Sequence, residues 1–568
     1  MTANRFGARA ASWWLASCLT WLLAPAAQAA DEVSYKLRPV LAGGALAALA
    51  VEARFTGDPD GETTLRLPVG DDAAAPQDFR NLRIEGAAET SEGRHRRVLR
   101  HKPSAPIIVR YEIVSGYAGL PPGQPFRPLL RPDWFFVHGE RAFARPDGRP
   151  EAAVRLAWLD LPQGWTATSN LDGLLRPTVE TLEDVGLFGG EGWREASRSI
   201  GQARLRVLYR PADWTTSPEG ALDGMAAVVK AGFDYWGDPP RDFLVPLIRT
   251  GSDFGGRGLA DGFLINAGTG ADLRAFTRIF THEHQHSWIS RQIGGFPGTE
   301  DNLMAWLNEG FTEAVAARVL LRSGLWTLEE FVADLNASLL HYAISPERTA
   351  PNRRIQEARS SNFFVSKLAY DRGRLLALLW DYRLRGATSG RAGLDAVLQA
   401  QRRMARANRE TGRRMSADLL LPIAVRQTAG IELGADLGRY VERGEAITLP
   451  PDLFAGCGVV EWTSQPAFDR GFDLAATLNN GRRVTGLKVG GPAARAGLRE
   501  GDRIRVSELP WPDSQTVLTY RVIQADGTER AVSYKPEGAG TVTFQRFRLN
   551  AGLNAADRER CRALISGG

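Results

Sequence analysis

From Val33 to about Val207 the apolar positions fall in short alternating runs broken by Gly, Pro and Asp. Ala48–Phe55, Pro106–Val114 and Ala153–Leu159 are examples, and period-two alternation bounded by turn residues marks half-buried strands. The pattern predicts an all-β domain over residues 31–207. Its aromatic run Trp134-Phe135-Phe136 reads as core or domain interface. After Tyr209 the period lengthens. Leu222–Tyr235, Leu273–Ile293, Leu303–Ser323, Thr327–Ile344 and Lys367–Leu384 repeat apolar residues at helical spacing. Gly237-Asp238-Pro239-Pro240 breaks the first of these. A strand at Phe243–Ile248 leads into the glycine-rich stretch Gly251–Gly270. Residues 208–450 are therefore expected to form a mainly helical domain with a small sheet. Residues 455–555 return to short strands and turns, and 556–568 form a C-terminal tail. The fold class is multidomain α+β, without an internal repeat.

A chain of 568 residues is too long for a single core. Its net charge of +5 includes Arg5 and Arg9, and that modest balance predicts no nucleic-acid partner. The arginines of Gln401–Met415 read as a solvated helix end and turn. Residues 1–29 have the plan of a signal peptide: basic Arg5 and Arg9, apolar Ala10–Ala24, then small residues at Ala27-Gln28-Ala29. Such an apolar run is short for a membrane span, and no later stretch is long enough. An exported protein, periplasmic or extracellular, is expected. Leu15-Ala16-Ser17-Cys18 offers lipoprotein anchoring through Cys18 as the lesser alternative, because the apolar run continues beyond it. Cys457 and Cys561 remain after cleavage. In an oxidising compartment they could pair, although two separate buried thiols suit the sequence nearly as well.

Candidate chemistry concentrates in His282-Glu283-His284-Gln285-His286, which holds three of the seven histidines. On a helix His282 and His286 project from one face, fitting two imidazoles on one zinc ion (Zn2+, one per chain). Glu283 then stands beside the metal as a general base. A catalytic zinc takes three protein ligands and a water, and the third ligand chosen is Glu309 on the next helix. Glu313, one turn on, would accept the second ring proton of a liganding histidine; an exchange of roles between the two glutamates stays open. His284 points to the opposite side and reads as packing or rim, and Trp288 as core. Tyr370 is a candidate oxyanion donor on a later helix. Gly255 and Gly256 are read as a glycine-rich edge that could pair with an extended peptide substrate.

In the last region, Val484–Val489 is predicted as a strand. With Gly491–Ile504, a small-residue helix and a Gly-Asp turn, it resembles a PDZ domain, a module that captures peptides by strand addition. Gly471 and Phe472 would belong to its peptide-binding loop.

The order of these parts resembles the glycyl aminopeptidases, thermolysin-like zinc peptidases of the gluzincin type with a β domain in front and a PDZ domain behind. His282–Trp288 and Trp306–Thr312 carry the resemblance, joined by Tyr370-Asp371-Arg372-Gly373 and the PDZ stretch. It implies His282, His286 and Glu309 as zinc ligands, Glu283 as base and Tyr370 as oxyanion donor. The chain departs from the family at three places. Ala369 stands where a second tyrosine is usual, and the loop between His286 and Glu309 is shorter. Arg257-Gly258-Leu259 follows Gly255-Gly256 where a Glu-His pair is usual, which removes the carboxylate expected to hold a substrate's free amine; Asp261 is the nearest substitute. An exported zinc metallopeptidase, aminopeptidase-like or a small-peptide hydrolase, is the leading expectation. A PDZ-bearing peptide-binding protein with a vestigial site is the alternative, and zinc-assisted hydrolysis of a non-peptide bond is a third.

Overall fold

Alternation becomes a sandwich at the N-terminus. Glu32–Ala42 buries Val33, Tyr35 and Leu37 on one face and pairs antiparallel with Ala45–Thr56. With Pro106–Ile113, Phe79–Glu85 and Ala153–Trp158 they form a five-stranded sheet. Two four-stranded sheets complete the domain, and its core joins Tyr35, Phe55, Tyr111, Phe135 and Phe143. The structure is a computed structural model that describes residues 31–68, 78–116, 127–174, 176–214, 217–249, 255–267, 277–296, 302–505, 512–524 and 526–567. The expected leader lies outside the described residues.

The aromatic run sits on strand Trp134–His138 and serves both expected roles. Phe135 enters the β core, whereas Trp134 and Phe136 pack with Phe188, Trp193, Leu208 and Leu244. That second cluster joins the β domain to the sheet of the helical domain. The sheet starts earlier than residue 208. Arg194–Ile200 and Ala203–Tyr209 belong to it, with Leu205 opposite Phe243 in a parallel pairing. Leu205 and Val207 are buried in the helical domain's core, which draws the strand there. The order runs through Phe243–Arg249 and Gly262–Ala267 and ends at Gly255–Leu259, an edge strand.

Helices follow or interleave with this sheet, among them α1 (Leu222–Trp236), α2 (Thr277–Gln292), α3 (Ala305–Arg322), α4 (Leu328–Ile344), α5 (Asn352–Ala358), α6 (Phe363–Ala387), α7 (Leu394–Glu410) and α8 (Ala417–Ala429). Their starts are chemically marked. Thr327 and Glu330 form a capping box on α4, and the Asn362 side chain accepts the Phe364 and Val365 N–H groups at the start of α6. Helices α3 and α6 cross with their backbones in contact. A Cβ on Gly310 would lie 2.3 Å from Gly373 Cα, and one on Gly373 would lie 1.7 Å from the Trp306 carbonyl oxygen. Only glycine permits that approach, and it brings Tyr370 of α6 toward Glu309 of α3. Among the described residues no helix is long and apolar enough to cross a membrane.

The C-terminal module has its own small core of Phe472, Val484, Leu498, Ile504, Tyr520 and Val532. Gly458–Phe468 pairs with Glu537–Leu549, and Arg503–Arg505, Leu518–Ile523 and Glu529–Tyr534 form a three-stranded sheet. The expected strand Val484–Val489 is replaced by irregular backbone that bends at Gly486, with one bridge just before it between Arg483 and Arg503. Left-handed Gly486 and Gly490 (φ +68° and +67°) break the extended path there. The expected tail is also different: Ala555–Ser566 is a helix that lies against α3. Buried Cys561 and Ile565, four residues apart, explain its docking. Cys457 and Cys561 form a disulfide, Cα atoms 5.5 Å apart, that ties this helix to the start of the module.

Candidate metal centre

Three acceptor atoms converge between α2 and α3. His282 Nε2 and His286 Nε2 are 3.1 Å apart. Glu309 Oε2 lies 3.3 Å from the first and 3.5 Å from the second. These separations approach the edge of about 3.4 Å expected for a tetrahedron with zinc–ligand bonds of about 2.1 Å. Each residue is largely buried: side-chain exposure is 6% for His282, 14% for His286 and 11% for Glu309.

The surrounding residues determine which ring nitrogens carry protons. Ser290 donates its hydroxyl to Asn308 Oδ1 at 2.7 Å, so its oxygen accepts the His286 Nδ1 proton, also at 2.7 Å. His286 Nε2 is then an unprotonated lone pair aimed at the convergence point. His282 Nδ1 faces Glu313 Oε1 at 3.5 Å, and its Nε2 faces the same point. Two imidazole lone pairs and a carboxylate, with no donor between them, suit a divalent cation of zinc's preferences. Glu309 meets the Nε2 atoms, whereas Glu313 meets only the far side of His282.

The carboxylates differ in their electrostatics. Burial would raise Glu309, but the adjoining His282 and His286 rings outweigh it and hold the carboxyl well below the usual range. Glu313 is lowered as well: against burial, Arg278 favours its charge from 2.5 Å. Glu283 is pushed up to about 7, chiefly by burial, and His286 only partly opposes this. Its ligand atom falls within 4.8 Å of those of His282 and His286.

Gly256 on the edge strand lies over Glu283: a Cβ there would stand 3.0 Å from Glu283 Cγ. The edge strand thus passes beside Glu283 at Gly256. Beyond it, Arg257 pairs with Glu140 of the β domain at 2.8 Å. Asp261 sits in the following turn and pairs with Arg241 at 3.5 Å. Tyr370 stacks on His282, ring centroids 5.7 Å apart, beneath the Lys367 ammonium at 4.6 Å. His284 packs against Phe233, Phe243 and Trp288, and burial pushes it down to about 3, so it is a neutral core residue.

Ser290, Asn308 and Arg278 were missed in the sequence. Ser290 alone had a visible sign, one helical turn after His286. Ser290→Ala removes the acceptor that fixes the His286 ring, so metal affinity should fall about 10- to 100-fold. Chelator competition measures this; unchanged affinity would exclude the assigned tautomer contact.

In the C-terminal module the Phe472 side chain packs edge-on against Tyr520 within the core. The Gly471 N–H donates to Asp469 Oδ1 at 2.9 Å.

No family model matches the sequence, and no curated protein matches it. Solved structures do. The chain is similar to an aminopeptidase N family protein from Idiomarina loihiensis, with TM-score 0.64 and 14% identity over 94% of this chain and 100% of that one. It is also similar to a mutant M1 zinc metallopeptidase from Deinococcus radiodurans bound to a Tyr-Ser-Ala substrate. That comparison gives TM-score 0.50 and 20% identity, covering 74% of this chain and 95% of that one. The fold, a β-rich N-terminal domain followed by a helical domain, is that of the M1 aminopeptidases.

Proposed function

We propose that this protein is a zinc-dependent metallopeptidase, aminopeptidase-like in its action on peptides. The observation that carries the reading is the convergence of His282 Nε2, His286 Nε2 and Glu309 Oε2 within 3.1–3.5 Å of one another, with Glu283 alongside. The M1 fold supports it independently.

In this reading His282, His286 and Glu309 hold one zinc ion, and Glu313 orients His282. When bound, zinc lowers the pKa of a coordinated water and polarises a carbonyl. Glu283 takes the proton of the attacking water at its carboxylate and passes it to the departing amine. Its upward shift suits that exchange, because a base near neutrality both accepts and returns a proton. Tyr370 holds its hydroxyl proton, being raised well above the ordinary range mainly by burial. It can donate to the oxygen that gains charge. The edge strand at Gly255 and Gly256 supplies backbone groups that align an extended peptide. The C-terminal module is PDZ-like by its sequence, and the leader directs export.

The purified protein should contain one zinc and cleave peptides in a library digest. Comparing free with blocked N-termini then defines the action: cleavage restricted to free amines establishes an aminopeptidase, and equal cleavage of both an endopeptidase. A metal-loaded protein that cleaves nothing across the library would overturn the peptidase reading.

A further inference from the structure

The residue after α5 reaches the metal centre from outside both ligand helices. Arg359 Nη2 donates to Glu309 Oε1 at 2.8 Å, while the other oxygen, Oε2, faces the two histidines. Its Nη1 donates to Asn302 Oδ1 at 3.2 Å, anchoring the guanidinium to the turn before α3. The pair is largely enclosed, with side-chain exposures of 22% for Arg359 and 11% for Glu309.

The two glutamates of α3 are thus held alike: Arg278 grips Glu313 and Arg359 grips Glu309. The contact on Glu309 also divides its carboxylate, leaving one oxygen to the guanidinium and one to the imidazoles. Burial disfavours the Arg359 charge, but Glu309 and then Tyr370 favour it more, so it stays protonated. Arg359 thus bridges Glu309 and Asn302. A planar fork can bridge such partners in fixed directions, whereas a lysine ammonium is a single point charge.

We propose that Arg359 is a positioning residue of the metal centre, restricting Glu309 to one liganding oxygen. The proposal rests on the zinc reading above. It assigns to Arg359 two separable effects, on metal retention and on turnover.

The test compares wild type with Arg359→Gln and Arg359→Lys for zinc affinity by chelator competition, and for kcat and KM at saturating zinc. Thermal unfolding checks that each variant is folded. Arg359→Gln should bind zinc about 10- to 100-fold more weakly, and kcat at saturating zinc should fall with KM nearly unchanged. Arg359→Lys, which keeps the charge but not the fork, should still lose several-fold in zinc affinity and supplies the comparison if the glutamine variant unfolds. Zinc affinity and kcat within about twofold of wild type in a folded variant would overturn the proposal. Wild-type protein without zinc affinity would instead overturn the metal reading beneath it.

Discussion

Glu283→Gln is expected to keep its zinc and lose about 100- to 10,000-fold in kcat on peptides. The substitution preserves shape and removes only the ability to take a proton. Glu283 is not among the atoms that converge with Glu309 Oε2, so the metal should remain. Its position is set by backbone on one side, with Gly256 packed on its side chain, and by the α2 register on the other. Glutamine should therefore adopt the same position. Single-turnover hydrolysis alongside metal analysis checks the expectation, and turnover unchanged with zinc in place would show that another group carries the proton.

Glu309→Ala should cost more than any change behind the ligands. It removes one of three converging acceptors and leaves the Arg359 guanidinium facing two imidazoles without its partner. Zinc affinity should fall well beyond the roughly 10- to 100-fold expected of an outer residue. Stripping a buried ion pair of one member also destabilises by about 3–5 kcal/mol, so the melting temperature should drop without added metal. Titration calorimetry with zinc and a thermal scan measure the two effects. Wild-type zinc affinity in this variant would remove Glu309 from the ligand set.

What could be read from the sequence was what is local along the chain. His282, Glu283 and His286 share one helix, so their spacing alone places them on one face. The next helix brought Glu309 and Glu313 within consideration, but only their distances to Nε2 and Nδ1 of His282 distinguish them. Arg278 and Arg359 were invisible because α3 lies between their sequence positions and their function depends on tertiary approach. Asn308 adjoins Glu309 yet acts through Ser290, a contact no linear pattern encodes. The C-terminal misreadings have a different origin. Val484–Val489 has the apolar content of a strand, but Gly486 and Gly490 take left-handed conformations that stop it. The helix at Ala555–Ser566 was overlooked although Asn554 caps it by accepting the Asp557 N–H.

Anomalous diffraction at the zinc edge from crystals of the protein grown with zinc locates the ion. A single strong peak is expected, enclosed by His282 Nε2, His286 Nε2 and Glu309, with bonds of about 2.0–2.2 Å. A peak bound elsewhere, or none at that point while the three side chains keep their convergence, would contradict that placement.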